Sequence, residues 1–178
     1  MYDGVKRYMD VSQRRSQLVV DRLGAYIDDP NQRPNDRIMT QFERFFNGTE
    51  MTIIKAVRDR YAKITQRDVK KATTIDRKRV DKALSPSLLD HIKHGFPDLW
   101  NFTPMDIFET PELTMLHELT HLLATANTHD RGGYGWVKCI KAKTHHNADS
   151  LAYFALVVDL IENYGCDADE QGTLSRIT

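Results

Sequence analysis

Residues 117–121 read His-Glu-Leu-Thr-His, and this stretch decides how the rest of the chain is interpreted. Four residues make just over one helical turn, so His117 and His121 would project from one face of a helix and could bind one metal ion. Glu118 would lie beside that ion, where its carboxylate can accept a proton from a bound water molecule. The pattern is typical of zinc hydrolases. It predicts one Zn²⁺ per chain, with Glu118 as the catalytic general base.

The flanking residues favour a helix over about residues 111–125. Pro111 suits the first turn of a helix, and Glu112 suits the positive end of the helix dipole. Because the leucines of this segment recur at helical spacing, they would form an apolar stripe that packs against a core. They are Leu113, Leu116, Leu119, Leu122 and Leu123. The two imidazoles would therefore lie on a helix whose back is buried.

A catalytic zinc site needs a third protein ligand, and the sequence offers two carboxylates for it. Glu162 lies in a strongly apolar helix further along the chain, which makes a site built on it less direct. Asp130 follows His121 closely, and residues 127–128 can end the helix that carries the histidines before a short turn. That turn would bring the Asp130 carboxylate under the metal, so Asp130 is the favoured third ligand.

The order of these residues resembles the deuterolysin-like aspzincins, a family of mostly fungal zinc endopeptidases. Three segments carry the resemblance, which spans roughly residues 84–164. They are His-Glu-Leu-Thr-His at 117–121, Thr-His-Asp at 128–130 with Tyr-Gly at 134–135, and Asn-Ala-Asp-Ser at 147–150. The resemblance is specific because the three segments occur together and in the same order as in the family.

The resemblance assigns a role to each of these polar residues. It implies that Asp130 joins the two histidines as a zinc ligand and that Glu118 is the general base. It implies that Tyr134 helps to stabilise the oxyanion, and it places Asp149 near the substrate pocket or beside the zinc ligands. From the residues alone, Tyr134 could instead be a tyrosine at the edge of the core. Likewise, Asn147 or Asp149 could be the N-cap of the following helix.

Three positions depart from the family pattern. Asn127 stands where the family has Gly, and one extra residue separates Asp130 from Tyr134. The glycines at 132–133 could absorb that extra residue, because glycine accepts positive φ angles. Lysine-specific members have a Glu three residues after the position of Asp149, where this chain has Ala152. Strict specificity for lysine is therefore not expected.

Length and charge limit the kinds of partner. With 178 residues, the chain is predicted to be one domain, with a helical part over about 1–65 and a catalytic part over about 84–164. Its 25 basic and 25 acidic residues balance, which argues against nucleic acid or an anionic membrane as the main partner. The longest apolar stretch has the length of a core helix and is too short to span a membrane. We expect a protein or peptide substrate and a monomeric enzyme.

The compartment follows from the resemblance. The first residues of the chain lack the apolar segment of a signal peptide. Because relatives in the family are usually secreted, we expect a secreted protein whose leader and pro-segment have been removed, with a cytosolic protein as the alternative. Cys139 and Cys166 could form one disulfide, although two cysteines alone do not identify the redox compartment.

The remaining pattern predicts an α+β, mainly α, fold. Apolar residues recur at helical spacing over 11–28, 38–46, 52–64 and 148–163, in addition to the helix that carries the histidines. Hairpin strands are expected near 67–84 and 105–109, and a glycine-rich loop at 131–135. By resemblance this would be a zincin-like metalloprotease domain with a small edge sheet or hairpin beside the active-site helix.

The predicted function is hydrolysis of peptide bonds by a water molecule that Glu118 activates on zinc. The alternative is a secreted, non-proteolytic zinc-binding effector or interaction protein on the same scaffold. The changed spacing between Asp130 and Tyr134 motivates this alternative. Both hypotheses expect a bound zinc ion, and they differ in turnover.

Overall fold

The computed structural model describes residues 2–32, 36–66, 110–122 and 126–177. The hairpin strands predicted near 67–84 and 105–109 lie outside the described residues, and so does the predicted catalytic part before residue 110. The described residues form six α-helices, a short 3₁₀-helix and one antiparallel pair of strands. These are α1 (Tyr2–Asp28), the 3₁₀-helix (Pro30–Gln32), α2 (Arg37–Phe45), α3 (Met51–Thr65), α4 (Pro111–His121), α5 (Trp136–Ala142), α6 (Ala148–Tyr164), β1 (Cys166–Ala168) and β2 (Leu174–Arg176).

The described part of the chain is mainly helical with a small sheet, which confirms the predicted α+β, mainly α, class. The five predicted helices occur, although α1 begins at Tyr2 rather than at residue 11. Two elements were not predicted. One is the short helix α5, and the other is the hairpin β1–β2, in which Cys166 lies opposite Arg176 and Ala168 opposite Leu174. This sheet follows α6, so it is a different element from the predicted edge hairpin.

Polar side chains define where the helices begin. Asp36, Thr110 and Asn147 are the N-caps of α2, α4 and α6, and each accepts a hydrogen bond from a backbone N–H in the first turn. Such a cap satisfies an N–H group that has no partner within the helix. Pro111 occupies the first turn of α4, as its fixed φ angle favours. The starts of α4 and α6 determine which residues reach the site described below.

Helix α6 is the centre of the core. It packs against α1, α2, α4, α5 and β1, and every residue from Ser150 to Leu160 is buried. This enclosure explains why the sequence of α6 is apolar on all sides rather than along one stripe. Its aromatic contacts with α2 are edge-to-face, with the Phe42 and Phe46 rings 5.6 Å and 5.2 Å from that of Phe154.

A buried ion pair fixes α1 against α6. Arg15 Nε donates to Asp159 Oδ2 at 3.0 Å, and both side chains are 1% exposed. Asn163 Nδ2 donates to the other oxygen of Asp159 at 2.8 Å. Because an isolated buried charge is strongly disfavoured, the buried Asp159 carboxylate requires this partner.

The two cysteines are not bridged. Cys139 in α5 and Cys166 in β1 are both buried, and neither forms a disulfide bond. Cys139 Sγ lies 3.5 Å from Asn147 Oδ1, and Cys166 Sγ lies 3.1 Å from the carbonyl oxygen of Tyr164. The disulfide considered from the sequence is therefore not formed. Separately, no helix among the described residues combines the length and apolar character needed to cross a membrane.

Candidate metal centre

Helix α4 brings two imidazoles to one point. His117 Nε2 and His121 Nε2 are 3.0 Å apart, and the ring centroids are 4.7 Å apart at an angle of 79°. His117 is buried and His121 is partly exposed. The spacing of one helical turn therefore places both Nε2 atoms on the same face, as predicted from the sequence.

Asp130 approaches the same point from the loop that follows. Its Oδ1 lies 3.1 Å from His121 Nε2 and 3.4 Å from His117 Nε2. Zinc bonds of roughly 2.0–2.1 Å in a tetrahedral arrangement put neighbouring ligand atoms about 3.3–3.4 Å apart. The three separations are close to that value. His117, His121 and Asp130 are also the one group of potential metal ligands found together among the described residues.

Hydrogen bonds at the far side of each ring define the protonation of the imidazoles. His121 Nδ1 lies 3.1 Å from the carbonyl oxygen of Thr128, which can only accept, so Nδ1 carries the hydrogen. His117 Nδ1 donates to the carboxylate of Asp149. In the neutral rings both Nε2 atoms therefore present lone pairs to each other and to Asp130.

The donor set fits a divalent cation. Three electron-pair donors lie within 3.4 Å of one another, and their mutual repulsion would be relieved by a positive ion between them. Asp130 Oδ1 is buried and has no hydrogen-bond partner in the described part of the chain. A buried polar atom without a partner costs free energy, so a cation would suit this oxygen as a partner. Two imidazoles and one carboxylate form a ligand set typical of zinc.

The end of α4 determines where Asp130 lies. Asn127 has a φ angle of 49°, in the left-handed region that Asn tolerates better than most residues with a side chain. This conformation explains how Asn127 can replace the glycine of the aspzincin pattern. Thr128 then returns towards the helix, because its N–H donates to the Thr120 carbonyl at 3.1 Å and the two hydroxyls are 2.8 Å apart. Asp130 is thus directed back at the histidines.

Tyr134 lies at the edge of the site rather than in the core. Its hydroxyl donates to Asp130 Oδ2, and its ring stacks on His117 with centroids 5.9 Å apart and planes at 23°. The residue is 50% exposed. The extra residue between Asp130 and Tyr134 therefore leaves the hydroxyl within reach of the proposed ligands.

Asp149 contacts the His117 ring on the side away from Asp130. One carboxylate oxygen accepts from His117 Nδ1, and the other accepts from the backbone N–H of Gly135 at 2.8 Å. Its side chain is only 13% exposed, and the N-cap of α6 is Asn147, not Asp149. These contacts place Asp149 behind His117, and its position beside a metal site stays a prediction. The substrate-binding role of Asp149 stays a prediction.

Negative charge surrounds the His117 imidazole. Burial lowers the pKa of this imidazole, but the hydrogen bond and charge of Asp149, with the charges of Asp130 and Glu118, outweigh burial and raise the pKa above its ordinary value. Glu118, the residue after His117 on α4, is partly buried. A surrounding that stabilises positive charge on an imidazole also stabilises a cation bound beside it.

The alternative third ligand points away from this centre. Glu162 forms an ion pair with Arg22 of α1 and is not part of the ligand group. His129 and His146 stack with ring centroids 6.3 Å apart, and neither belongs to that group. The sequence also offers His91 and His94, at helical spacing, as a weak metal site, and both lie outside the described residues.

Two residues of the site were not recognised from the sequence. Thr128 orients His121 through a backbone carbonyl, which carries no sequence signal. Asn147 belongs to a segment that carries the resemblance and was given only a capping role, although its amide also reaches the loop that carries Asp130. Comparison with protein-family models, with curated proteins and with solved structures finds no match.

Proposed function

We propose that this protein is a zinc-dependent endopeptidase with a zincin-like fold similar to that of the aspzincins. His117, His121 and Asp130 would hold one zinc ion. The observation that carries the proposal is the group of two imidazole lone pairs and one unpartnered carboxylate oxygen, all within 3.4 Å of one another. A zinc ion there would supply Lewis acidity, which polarises a peptide carbonyl and lowers the pKa of a water molecule.

Glu118 suits the role of general base. It follows His117 directly on α4, so its carboxylate lies beside the ligands rather than among them. There it would accept the proton of the attacking water and later transfer it to the leaving amine. Asp130 carries the one formal negative charge of the ligand set, so a divalent ion bound there would keep a net charge of about +1. A net positive site favours attack by water.

Tyr134 and Asp149 would assist in different ways. The Tyr134 hydroxyl is a donor at the exposed edge of the site, where a substrate carbonyl can approach. To donate a hydrogen bond to a developing oxyanion, the Tyr134 hydroxyl would have to leave Asp130 and turn to the substrate. Asp149 keeps the His117 ring in one tautomer and one orientation. We further propose a protein or peptide substrate, action as a monomer, and secretion as in the family it resembles.

A second function shares the same ligands. One extra residue separates Asp130 from Tyr134 relative to the aspzincin pattern, and the Tyr134 hydroxyl is engaged by Asp130. A non-proteolytic zinc-binding protein is therefore the second candidate. Both candidates expect zinc, so metal content alone does not separate them.

Elemental analysis and peptide cleavage together test the proposal. The untagged protein should contain one zinc per chain and should cleave casein or a peptide library. A chelator should abolish cleavage, and added zinc should restore it. Bound zinc without any cleavage would support the second candidate. Protein that contains no stoichiometric zinc would contradict both.

A further inference from the structure

Asn147 lies between the two segments that carry the carboxylates of the site. It is 1% exposed and directly precedes α6, whose first turn contains Asp149. On its other side is the loop from Asp130 to Tyr134. The buried Asn147 amide thus contacts both the loop that follows Asp130 and the helix turn that carries Asp149.

The oxygen of this amide faces α6. Asn147 Oδ1 accepts from the Ser150 N–H at 2.8 Å and from the Ser150 hydroxyl at 3.2 Å. Cys139 Sγ also lies 3.5 Å from it. These contacts account for the capping role that the sequence predicts.

The nitrogen of the amide faces the loop. Asn147 Nδ2 donates to the carbonyl oxygens of Arg131 and Gly133, at 3.2 Å and 3.1 Å. Carbonyls only accept and the Ser150 N–H only donates, so the orientation of the amide is unambiguous. Both hydrogens on Nδ2 have partners. A residue needed only as a cap would not require them, because serine or aspartate caps a helix equally well.

The turn at residues 131–133 presents carbonyl oxygens to Asn147, and these need a donor. Gly132 and Gly133 have φ angles of 108° and 96°, and this turn directs the carbonyls on either side of Gly132 towards Asn147. A Cβ atom at Gly132 would lie 2.9 Å from the Cβ of Ala142, so the turn is seated closely on α5. Without Nδ2, two partly buried carbonyls would lose this partner.

The residue before Asp130 is held by the residues on either side of Asn147. The His129 N–H donates to the His146 carbonyl at 2.9 Å, and the Ala148 N–H donates to the His129 carbonyl at 3.1 Å. Backbone bonds thus hold the chain before Asp130, and the Asn147 side chain holds the chain after it. Asp130, whose Oδ1 lies beside both imidazoles, is therefore flanked by two attachments to residues 146–148.

We propose that Asn147 is a positioning residue of the metal site, whose carboxamide holds the 131–133 turn so that Asp130 reaches the two histidines. This rests on the proposed zinc site. Asn147 does not touch the metal position, and it acts through Asp130. The same side chain sets the start of α6 and hence the position of Asp149 behind His117.

Asn147→Ser tests the inference because serine keeps the cap and removes both donors. The zinc dissociation constant should rise about 10–100-fold, as for other residues that orient ligands. The visible spectrum of the Co²⁺-substituted protein should also change, because it reports the geometry around the metal. Ser150→Ala is the matched control, since it removes one bond at the oxygen end of the same amide. It should keep the wild-type zinc affinity and the wild-type spectrum.

A folded Asn147→Ser protein with wild-type zinc affinity and an unchanged Co²⁺ spectrum would overturn the inference. If that variant fails to fold, Asn147→Asp keeps the shape and the cap while replacing the donor with an acceptor, and the same loss is expected. The wild-type chain gives a further check by NMR. The Asn147 side-chain amide protons should be protected from exchange, and unprotected protons would also overturn the inference.

The wild-type metal measurement separates the two proposals. A wild-type chain that binds no zinc overturns the proposed function together with the role of Asn147. A wild-type chain that binds zinc no more tightly than Asn147→Ser overturns the role of Asn147 alone.

Discussion

The Asp149 carboxylate accepts a hydrogen bond from Nδ1 of His117, so the first turn of α6 fixes the imidazole of a residue on α4. This contact joins two helices that pack together in the core. It also determines which nitrogen of His117 faces Asp130. The orientation of the proposed ligand therefore depends on core packing as well as on local helix geometry.

Asp149→Asn should weaken zinc binding without unfolding the protein. The amide removes the negative charge behind His117, and orienting residues of this kind contribute about 10–100-fold to metal affinity. Zinc competition with a chromogenic chelator measures the effect. Asp21→Asn, which changes an exposed carboxylate of α1 that accepts from Gln17, should leave the affinity unchanged. Equal affinities for the two variants would contradict the role given to Asp149.

Glu118→Gln should keep the metal and lose the reaction. The substitution preserves shape and removes the proton acceptor, which for general bases lowers the rate about 10²–10⁴-fold. The measurement pairs zinc content with the rate of peptide cleavage. Full cleavage activity in this variant would end the proposed mechanism.

Asp130→Ala should strongly reduce zinc retention, whereas Glu162→Gln should not. Asp130 provides one of the three ligand atoms, so its loss should exceed the roughly 100-fold effect of an orienting residue. Glu162 pairs with the partly exposed Arg22, and exposed ion pairs contribute at most about 1 kcal/mol to stability. Zinc content after dialysis measures both. Retention of zinc by Asp130→Ala would show that another residue completes the site.

His145→Gln should make the protein less sensitive to acid. Burial, with the charges of His146 and Arg60, lowers the pKa of His145 from 6.5 to about 4. Between these pH values the unfolded chain binds the proton and the folded chain does not. The free energy of unfolding therefore falls as the pH falls from 6.5 towards about 4.

The comparison uses denaturant unfolding of the wild type and His145→Gln across that pH range. The wild type should lose more stability than the variant, although by less than a fully buried histidine would, because His145 is only partly buried. Parallel pH profiles for the two proteins would contradict the assignment.

Much of the helical structure could be predicted because its signals are local. The apolar spacing of α2, α3, α4 and α6 is that of a helix, and caps such as Asp36 lie next to the segments they begin. Helix α5 and the strands β1 and β2 were missed because they have seven, three and three residues. Segments of that length bury too few residues to show a period, so their structure depends on packing against α2 and α6.

The pair His117 and His121, with Glu118 between them, could be read from the sequence, because one helical turn sets their relation without any distant contact. The sequence also favoured Asp130 over Glu162 by proximity along the chain. The tertiary structure alone decided that the Asp130 carboxylate meets both imidazoles, that Asp149 lies behind His117, and that Asn147 holds the loop between them. These relations join α4, a glycine-containing turn and the start of α6. The physical reason is that their distances depend on how α4 and α6 pack, and no periodicity within either helix encodes that packing.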